Sequence, residues 1–267
     1  MAEQPVAFAG SIPEFYERHL RFAFFEPYAE DLAARAAGAE GDFLELACGT
    51  GILTRQLLAR LGPGARLTAT DVNPPMIEEA RQRVPQDPRL SWRPADMTAL
   101  PFEDRAFDGI FCQFGVMFPG DKGTVFAEAR RVLRPGAPYR FSVWGSLAEN
   151  PANPAVLDAL AALFPEDPPR FLEAPFSFHD PDRIQPLLEA QGFSDIRLEA
   201  VLRDCRSPSA RDFAVGLVNG TPLANDLAAR NADLARATEA IEAALARVGG
   251  EVPFSAPMKA LVVEARA

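Results

Sequence analysis

The stretch Glu45-Leu46-Ala47-Cys48-Gly49-Thr50-Gly51, with Asp71 standing 20 residues past Gly51, constrains this chain more than any other feature. A short apolar run, residues 43–47, leads into the glycines. Ile52, Leu53, Leu57, Leu58 and Leu61 then recur at helical spacing. The stretch therefore reads as the end of a strand, a tight turn and the start of a helix. Glycines in such a turn let the backbone reverse and let a ligand approach it closely. Asp71 closes a second apolar run, residues 66–71. A carboxylate at that position can accept two hydrogen bonds from a ribose diol, so loop and acid together form a nucleoside site at the switch point of a parallel sheet.

The loop is poorly made for a pyrophosphate. A dinucleotide fingerprint calls for a third glycine where Thr54 stands, and no lysine follows the glycines as a phosphate loop requires. A nucleoside without phosphates fits better.

The alternation continues along the chain. Apolar runs at 90–92, 107–112 and 139–144 are separated by helical patterns, one carrying Met76, Ile77 and Ala80, another Val125, Phe126, Ala129, Val132 and Leu133. Arg134-Pro135-Gly136 marks a helix stop followed by a turn. Residues 146–179 hold six prolines and many phenylalanines and read as an irregular or helical insertion. Asp180-Pro181 reads as an N-cap with proline in the first turn, and Gly192 closes the helix that follows. Ile196, Leu198, Ala200 and Leu202 alternate as a strand; residues 222–248 read as one alanine-rich helical stretch; residues 260–263 form a last strand. The expectation is an α/β, Rossmann-like, doubly wound sheet of seven strands, the last antiparallel. A helical cap at 1–40 would precede a domain at 41–267 that carries a substrate-side insertion near 146–180.

Composition narrows the partners. A net charge of −10 disfavours a nucleic-acid or anionic membrane partner. Three scattered cysteines and two histidines, His19 and His179, form neither a disulfide framework nor a metal cluster, so no metal is expected. No apolar run is long enough for a membrane span, and Met1-Ala2-Glu3-Gln4-Pro5 has no basic segment before an apolar one, so a soluble cytoplasmic protein is expected.

Taken together, the glycine loop, Asp71, Ala95-Asp96-Met97, the segment from Phe107 to Phe114 and Arg134-Pro135-Gly136 resemble, in this order, the motifs of class I S-adenosylmethionine-dependent methyltransferases. The resemblance is read over roughly residues 12–145 and is strongest to the small-molecule branch of the ubiquinone/menaquinone type. Ala47 stands at the first glycine of the loop, and Ala137 at a second glycine of the later turn. The resemblance implies S-adenosylmethionine as cofactor and S-adenosylhomocysteine as product. It implies that the loop's backbone near Ala47 and Gly49 holds the methionine ammonium, with Glu45 beneath it, and that Cys48 and Gly51 also belong to the cofactor site. Asp71 would take the ribose. Val72, Met76 and the segment Ala95, Asp96 and Met97 would meet the adenine, and Gln113 and Phe114 would flank the methionine. In related enzymes an N-terminal tyrosine contacts the methionine end, and Tyr16 is the candidate here. Asn73-Pro74-Pro75-Met76 follows the second strand rather than the fourth and reads as a proline-started helix.

The reaction implied is in-line methyl transfer to O, N or C of a small, apolar or aromatic metabolite. Phe114, Phe118, Phe164, Phe171, Phe176 and Phe178 are candidates for its walls. His19 and Tyr16 are the candidate catalytic groups, His19 as a base near the acceptor. His179 reads as a residue at the start of a helix. The alternatives are a cofactor-binding protein of the same fold that transfers no methyl group, and a protein methyltransferase. The chain would work as a monomer or a homodimer.

Overall fold

The computed structural model describes residues 7–267 apart from residue 9. The start of the expected cap, residues 1–6 and 9, lies outside the described residues.

Seven strands form one sheet: β1 (Asp42–Leu46), β2 (Arg66–Asp71), β3 (Leu90–Pro94), β4 (Gly109–Gln113), β5 (Pro138–Trp144), β6 (Ser194–Ser207) and β7 (Phe254–Arg266). Their order is β3-β2-β1-β4-β5-β7-β6. β1 pairs in parallel with β2 on one side and β4 on the other, so the strand order reverses at β1. β7 runs antiparallel to both β5 and β6. This is the expected doubly wound, Rossmann-like α/β sheet with its last strand reversed. Central strands β1 and β4 are buried along most of their length, which is why they read as unbroken apolar runs.

Helices α3 (Ile52–Arg60), α4 (Pro74–Arg83) and α5 (Lys122–Val132) make the crossovers. Asn73 stands at the N-cap position of α4 without a side-chain cap bond, and Pro74 begins the helix, the expected local role for that proline pair. The Asp121 side chain caps α5 by accepting from Thr124 N.

Ahead of β1, helix α1 (Ile12–Phe15) runs into a π-helical segment (Tyr16–Phe25) and then α2 (Glu26–Ala34). Between β5 and β6 lie α6 (Ala152–Leu163), two 3-10 turns (Leu147–Glu149 and Phe171–Phe176) and α7 (Pro181–Ala190), with Asp180 capping α7. Three helices, α8 (Ala210–Asn219), α9 (Leu223–Ala229) and α10 (Leu234–Gly249), fill the connection from β6 to β7. The single helical stretch expected over 222–248 is thus two helices. Asn231 takes a left-handed conformation at φ +50°, and Asp233 caps α10 by accepting from the N–H groups of Ala235 and Arg236. Both residues favour a helix boundary over continuation, which overrides the alanine propensity around them.

Candidate active site

The C-terminal ends of β1, β2 and β4 open on a cavity of about 820 Å³, within the usual range for small-ligand sites. Its floor is the glycine loop. Ala47, Gly49 and Gly51 all have positive φ, at +51°, +81° for Gly51 and +55° for Gly49, so the chain doubles back sharply between β1 and α3. Cys48 N donates to Thr70 O at 2.8 Å, which anchors the turn to the next strand. A Cβ built on Gly49 meets only Met76 Cε, at 3.8 Å. Gly49 therefore presents bare backbone to the cavity. Gly51 faces the other way, and a Cβ there would sit 2.5 Å from Val84 Cγ2.

Asp71, at the end of β2, lines the same cavity. Its Oδ2 accepts from Gly49 N at 2.9 Å and its Oδ1 from Asn73 N at 2.8 Å. Burial pushes its carboxyl above the usual carboxylate pKa, and the two backbone N–H groups oppose that shift. Asp96 follows β3; its Oδ1 accepts from the amide and hydroxyl of Thr98 at 2.8 and 2.7 Å. Gln113 closes β4. Its Nε2 donates to Phe25 O at 2.8 Å, and its buried Oε1 has no partner among the described residues. The carbonyl of Phe25 fixes which end of the amide faces away from it, so Oε1 is an acceptor awaiting a donor.

Most expected cofactor-binding positions meet on this cavity: Tyr16, Ala47, Gly49, Asp71, Val72, Met76, Ala95, Asp96, Met97, Gln113 and Phe114 line it. Four expected residues do not. Glu45 lies behind the loop, 1% exposed, with Oε2 accepting from Thr54 Oγ1 at 2.6 Å; burial, reinforced by the Asp71 charge, pushes its carboxyl up to about 8 against that hydrogen bond. Cys48 points into a small cluster with Ala69 and Ile77. Gly51 packs against α4. His19 is turned away: its Nδ1 lies 3.0 Å from Asp212 Oδ1, and its ring stacks on Phe15. The base role expected of His19 therefore falls, because its helix presents Tyr16 rather than His19 to the cavity. His179 Nδ1 faces Phe176 O at the approach to α7.

The walls beyond the loop are aromatic. Phe114 stacks on Trp144, with centroids 3.6 Å apart and planes 9° apart. Tyr16 stacks on Phe25, and Phe8 meets Tyr16, Phe118 and Phe171 edge-on. Burial, with the nearby Glu17 and Asp71 carboxylates, pushes the Tyr16 phenol well above its ordinary pKa, so it is a neutral donor. Of the six phenylalanines expected in the walls, Phe114, Phe118, Phe171 and Phe176 line the cavity. Phe178 instead packs against Phe126, and Phe164 lies outside the lining. Sequence reasoning missed Phe8, Asn153, Phe213, Leu217 and Met258, which reach the cavity from the N-terminal segment, α6, α8 and β7. Their local patterns carry no signal beyond that of ordinary core or loop. Among the described residues no three His, Cys, Asp or Glu side chains are grouped to hold a metal ion, and no helix is long and apolar enough to cross a membrane.

Comparison with known proteins agrees with this geometry. Residues 43–136, from β1 to the turn before β5, match the family model described as a methyltransferase domain. This is a shorter span than the resemblance read over 12–145. The chain is 43% identical over 96 residues to the ubiquinone/menaquinone biosynthesis C-methyltransferase of Paracoccus denitrificans, covering 35% of this chain and 38% of that one. It is 39% identical over 99 residues to the malonyl-[acyl-carrier protein] O-methyltransferase of Hahella chejuensis, covering 37% and 35%. The matches thus span well under half of either relative. In fold it is similar to a Haemonchus contortus phosphoethanolamine N-methyltransferase solved with phosphomonomethylethanolamine and S-adenosylhomocysteine, at TM-score 0.59 and 15% identity, over 98% of this chain and 61% of that one. Residues 43–136 thus match a methyltransferase domain, and in motif order and sheet the chain is similar to the class I S-adenosylmethionine-dependent methyltransferases.

Proposed function

We propose that this chain transfers a methyl group from S-adenosylmethionine to O, N or C of a small, apolar or aromatic acceptor. The observation that carries the reading is the meeting, on one cavity, of bare glycine backbone, the Asp71 carboxylate and an aromatic wall. When bound, the cofactor supplies a sulfonium methyl group already activated toward a nucleophile.

In this reading Asp71 accepts from the ribose hydroxyls, while Val72, Met76, Ala95, Asp96 and Met97 surround the adenine. Gln113 Oε1, pinned by the Phe25 carbonyl, accepts from the methionine ammonium. Tyr16 donates its phenol proton at the methionine end. The aromatic walls exclude water and hold the acceptor in line, and alignment of this kind is worth up to about 7–11 kcal/mol of barrier. Neither imidazole lines the cavity. The acceptor would then be nucleophilic at neutral pH without a histidine base. Residues 1–40 would serve as a cap over a domain at 41–267, and the insertion near 146–180 as part of the acceptor wall. Of the acceptors that the relatives' names carry, a quinone-type ring suits such walls better than a malonyl thioester.

The test is incubation of the purified chain with methyl-labelled S-adenosylmethionine and fractionated metabolites, followed by mass spectrometry. Label is expected in an apolar fraction, with matching S-adenosylhomocysteine. Cofactor that binds but is never consumed would favour a non-methylating protein of the same fold. Label in polypeptide would favour a protein acceptor.

A further inference from the structure

The cavity's charge pattern narrows the acceptor further, given the methyltransferase reading above. Among its described lining residues are three carboxylates, Asp71, Asp96 and Asp121, and no lysine, arginine or histidine. Residues 1–6 and 9, Met-Ala-Glu-Gln-Pro-Val and Ala, carry no cationic side chain either. Several cations near lining residues in sequence are held away from the cavity, Lys259 among them by Glu149. His19 faces Asp212, and the Lys122 ammonium is held by the carbonyl oxygens of Met117 and Pro119.

The polar side chains on the acceptor side are neutral. Thr221 donates its hydroxyl to Leu217 O, and Asn153 stands in the first turn of α6. The N-terminus of α5, whose backbone N–H groups would otherwise suit an anion, is already capped by Asp121. The rest is apolar: Trp144, Phe171, Phe176, Phe213 and Met258. A carboxylate or phosphate entering here would lose its hydration against the faces of these rings and gain no counter-charge. It would also enter a field set by three fixed carboxylates on a chain of net charge −10. The cofactor itself, with a sulfonium and an ammonium against one carboxylate, is net positive and suits that field.

We propose that the acceptor is an uncharged aromatic or alicyclic molecule, and that the cavity rejects carboxylates, phosphates and sulfonates by its lack of a cation. The fixed charges act as the specificity filter, and the aromatic walls supply the affinity.

The experiment is calorimetry on the full chain saturated with S-adenosylhomocysteine, titrated at neutral pH with 2-naphthol and with 2-naphthoate. The two probes share a ring system and differ in charge. Binding of 2-naphthol is expected to be at least about tenfold tighter. The variant Asn153→Lys, which places an ammonium in the wall, should raise affinity for 2-naphthoate about tenfold in a salt-sensitive manner. Equal or tighter binding of 2-naphthoate by the wild-type chain overturns the proposal, as does failure of both probes to bind. The wild-type pair decides the matter even if the variant misfolds. S-adenosylhomocysteine that does not bind at all would instead sink the methyltransferase reading, so the two failures are distinct.

Discussion

The carboxylate of Glu17 accepts a 2.7 Å hydrogen bond from the hydroxyl of Thr50, joining the helix that carries Tyr16 to the glycine loop. Its other oxygen receives Arg21 and Arg55, each at 3.1 Å. Glu17 and Thr50 are both buried, so this carboxylate is the polar bolt between the N-terminal helix and the glycine-loop end of the cavity. Breaking a buried pair from one side leaves the partner charges uncompensated, at a cost of about 3–5 kcal/mol. Glu17→Ala should therefore lower the urea midpoint by about that free energy and also weaken S-adenosylhomocysteine binding. Thr50→Val removes a neutral donor and should do less of both. An unchanged midpoint for Glu17→Ala would show that the bolt bears no weight.

Asp71 serves two ends, and its variants should separate them. Asp71→Ala loses the ribose acceptor and the anchor for Gly49 N, so cofactor affinity should fall by about 1–3 kcal/mol. Asp71→Asn keeps an acceptor oxygen and loses the charge, and should fall between. Calorimetry with S-adenosylhomocysteine checks the order; wild-type affinity for the alanine variant would remove Asp71 from the ribose.

Tyr16 packs its ring on Phe25 and has no hydrogen-bond partner for its hydroxyl among the described residues. Tyr16→Phe keeps the stack and deletes only the donor. Turnover should drop by more than tenfold, since a hydrogen bond to a charged group is worth about 1.5–3 kcal/mol, while the melting temperature stays near wild type. Normal kinetics would take the phenol out of the site.

The sheet was legible because its central parallel strands β1 and β4 are buried on both faces and read as continuous apolar runs. The floor of the cavity was legible because Ala47, Gly49, Asp71 and Asp96 sit at the ends of consecutive strands, so sequence order maps onto it. The acceptor half was not. Phe213 and Leu217 on α8 and Met258 on β7 reach the cavity through tertiary packing, and their spacing is that of core positions. β6 and β7 run 14 and 13 residues, far beyond the alternation at 196–202 and the apolar run at 260–263. Nine of the 14 residues of β6 are exposed, and residues such as Glu199, Arg203 and Arg206 mask its pattern. His19 failed as a base because three positions along the π-helical segment turn its ring away from the cavity that Tyr16 faces, toward Asp212 on α8.

Glu45 makes the stability of this chain fall with pH in a defined window. Its carboxyl is raised to about 8 when folded, mainly by burial, against about 4.3 for an ordinary glutamate. Between those values the folded state holds more protons than the unfolded state, so this group's contribution is full below the lower value and is lost as pH rises through about 8. Glu45→Gln keeps an oxygen for Thr54 Oγ1 and cannot ionise. The variant should gain on wild type as pH rises from about 5 to 8.5. Urea midpoints of both proteins across that window check it; a pH-independent difference would mean that Glu45 does not titrate there.

Two glycines of one turn should fail in different ways. Gly49 and Gly51 both hold left-handed backbone, so alanine at either costs about 1–2 kcal/mol in conformation. At Gly51 the added methyl also meets Val84 Cγ2 at 2.5 Å and Ala80 Cβ at 3.3 Å, on the flank of α4. Val84 is branched and buried and cannot swing aside, so overpacking adds about 1–3 kcal/mol. At Gly49 the methyl meets nothing nearer than Met76 Cε at 3.8 Å and projects where the ligand must approach. Gly51→Ala should therefore lose stability while keeping cofactor affinity at temperatures where it remains folded. Gly49→Val should stay folded and lose the cofactor. Urea denaturation and S-adenosylhomocysteine calorimetry on both variants separate the outcomes, and a Gly49→Val protein that binds as tightly as wild type would refute close backbone approach by the ligand.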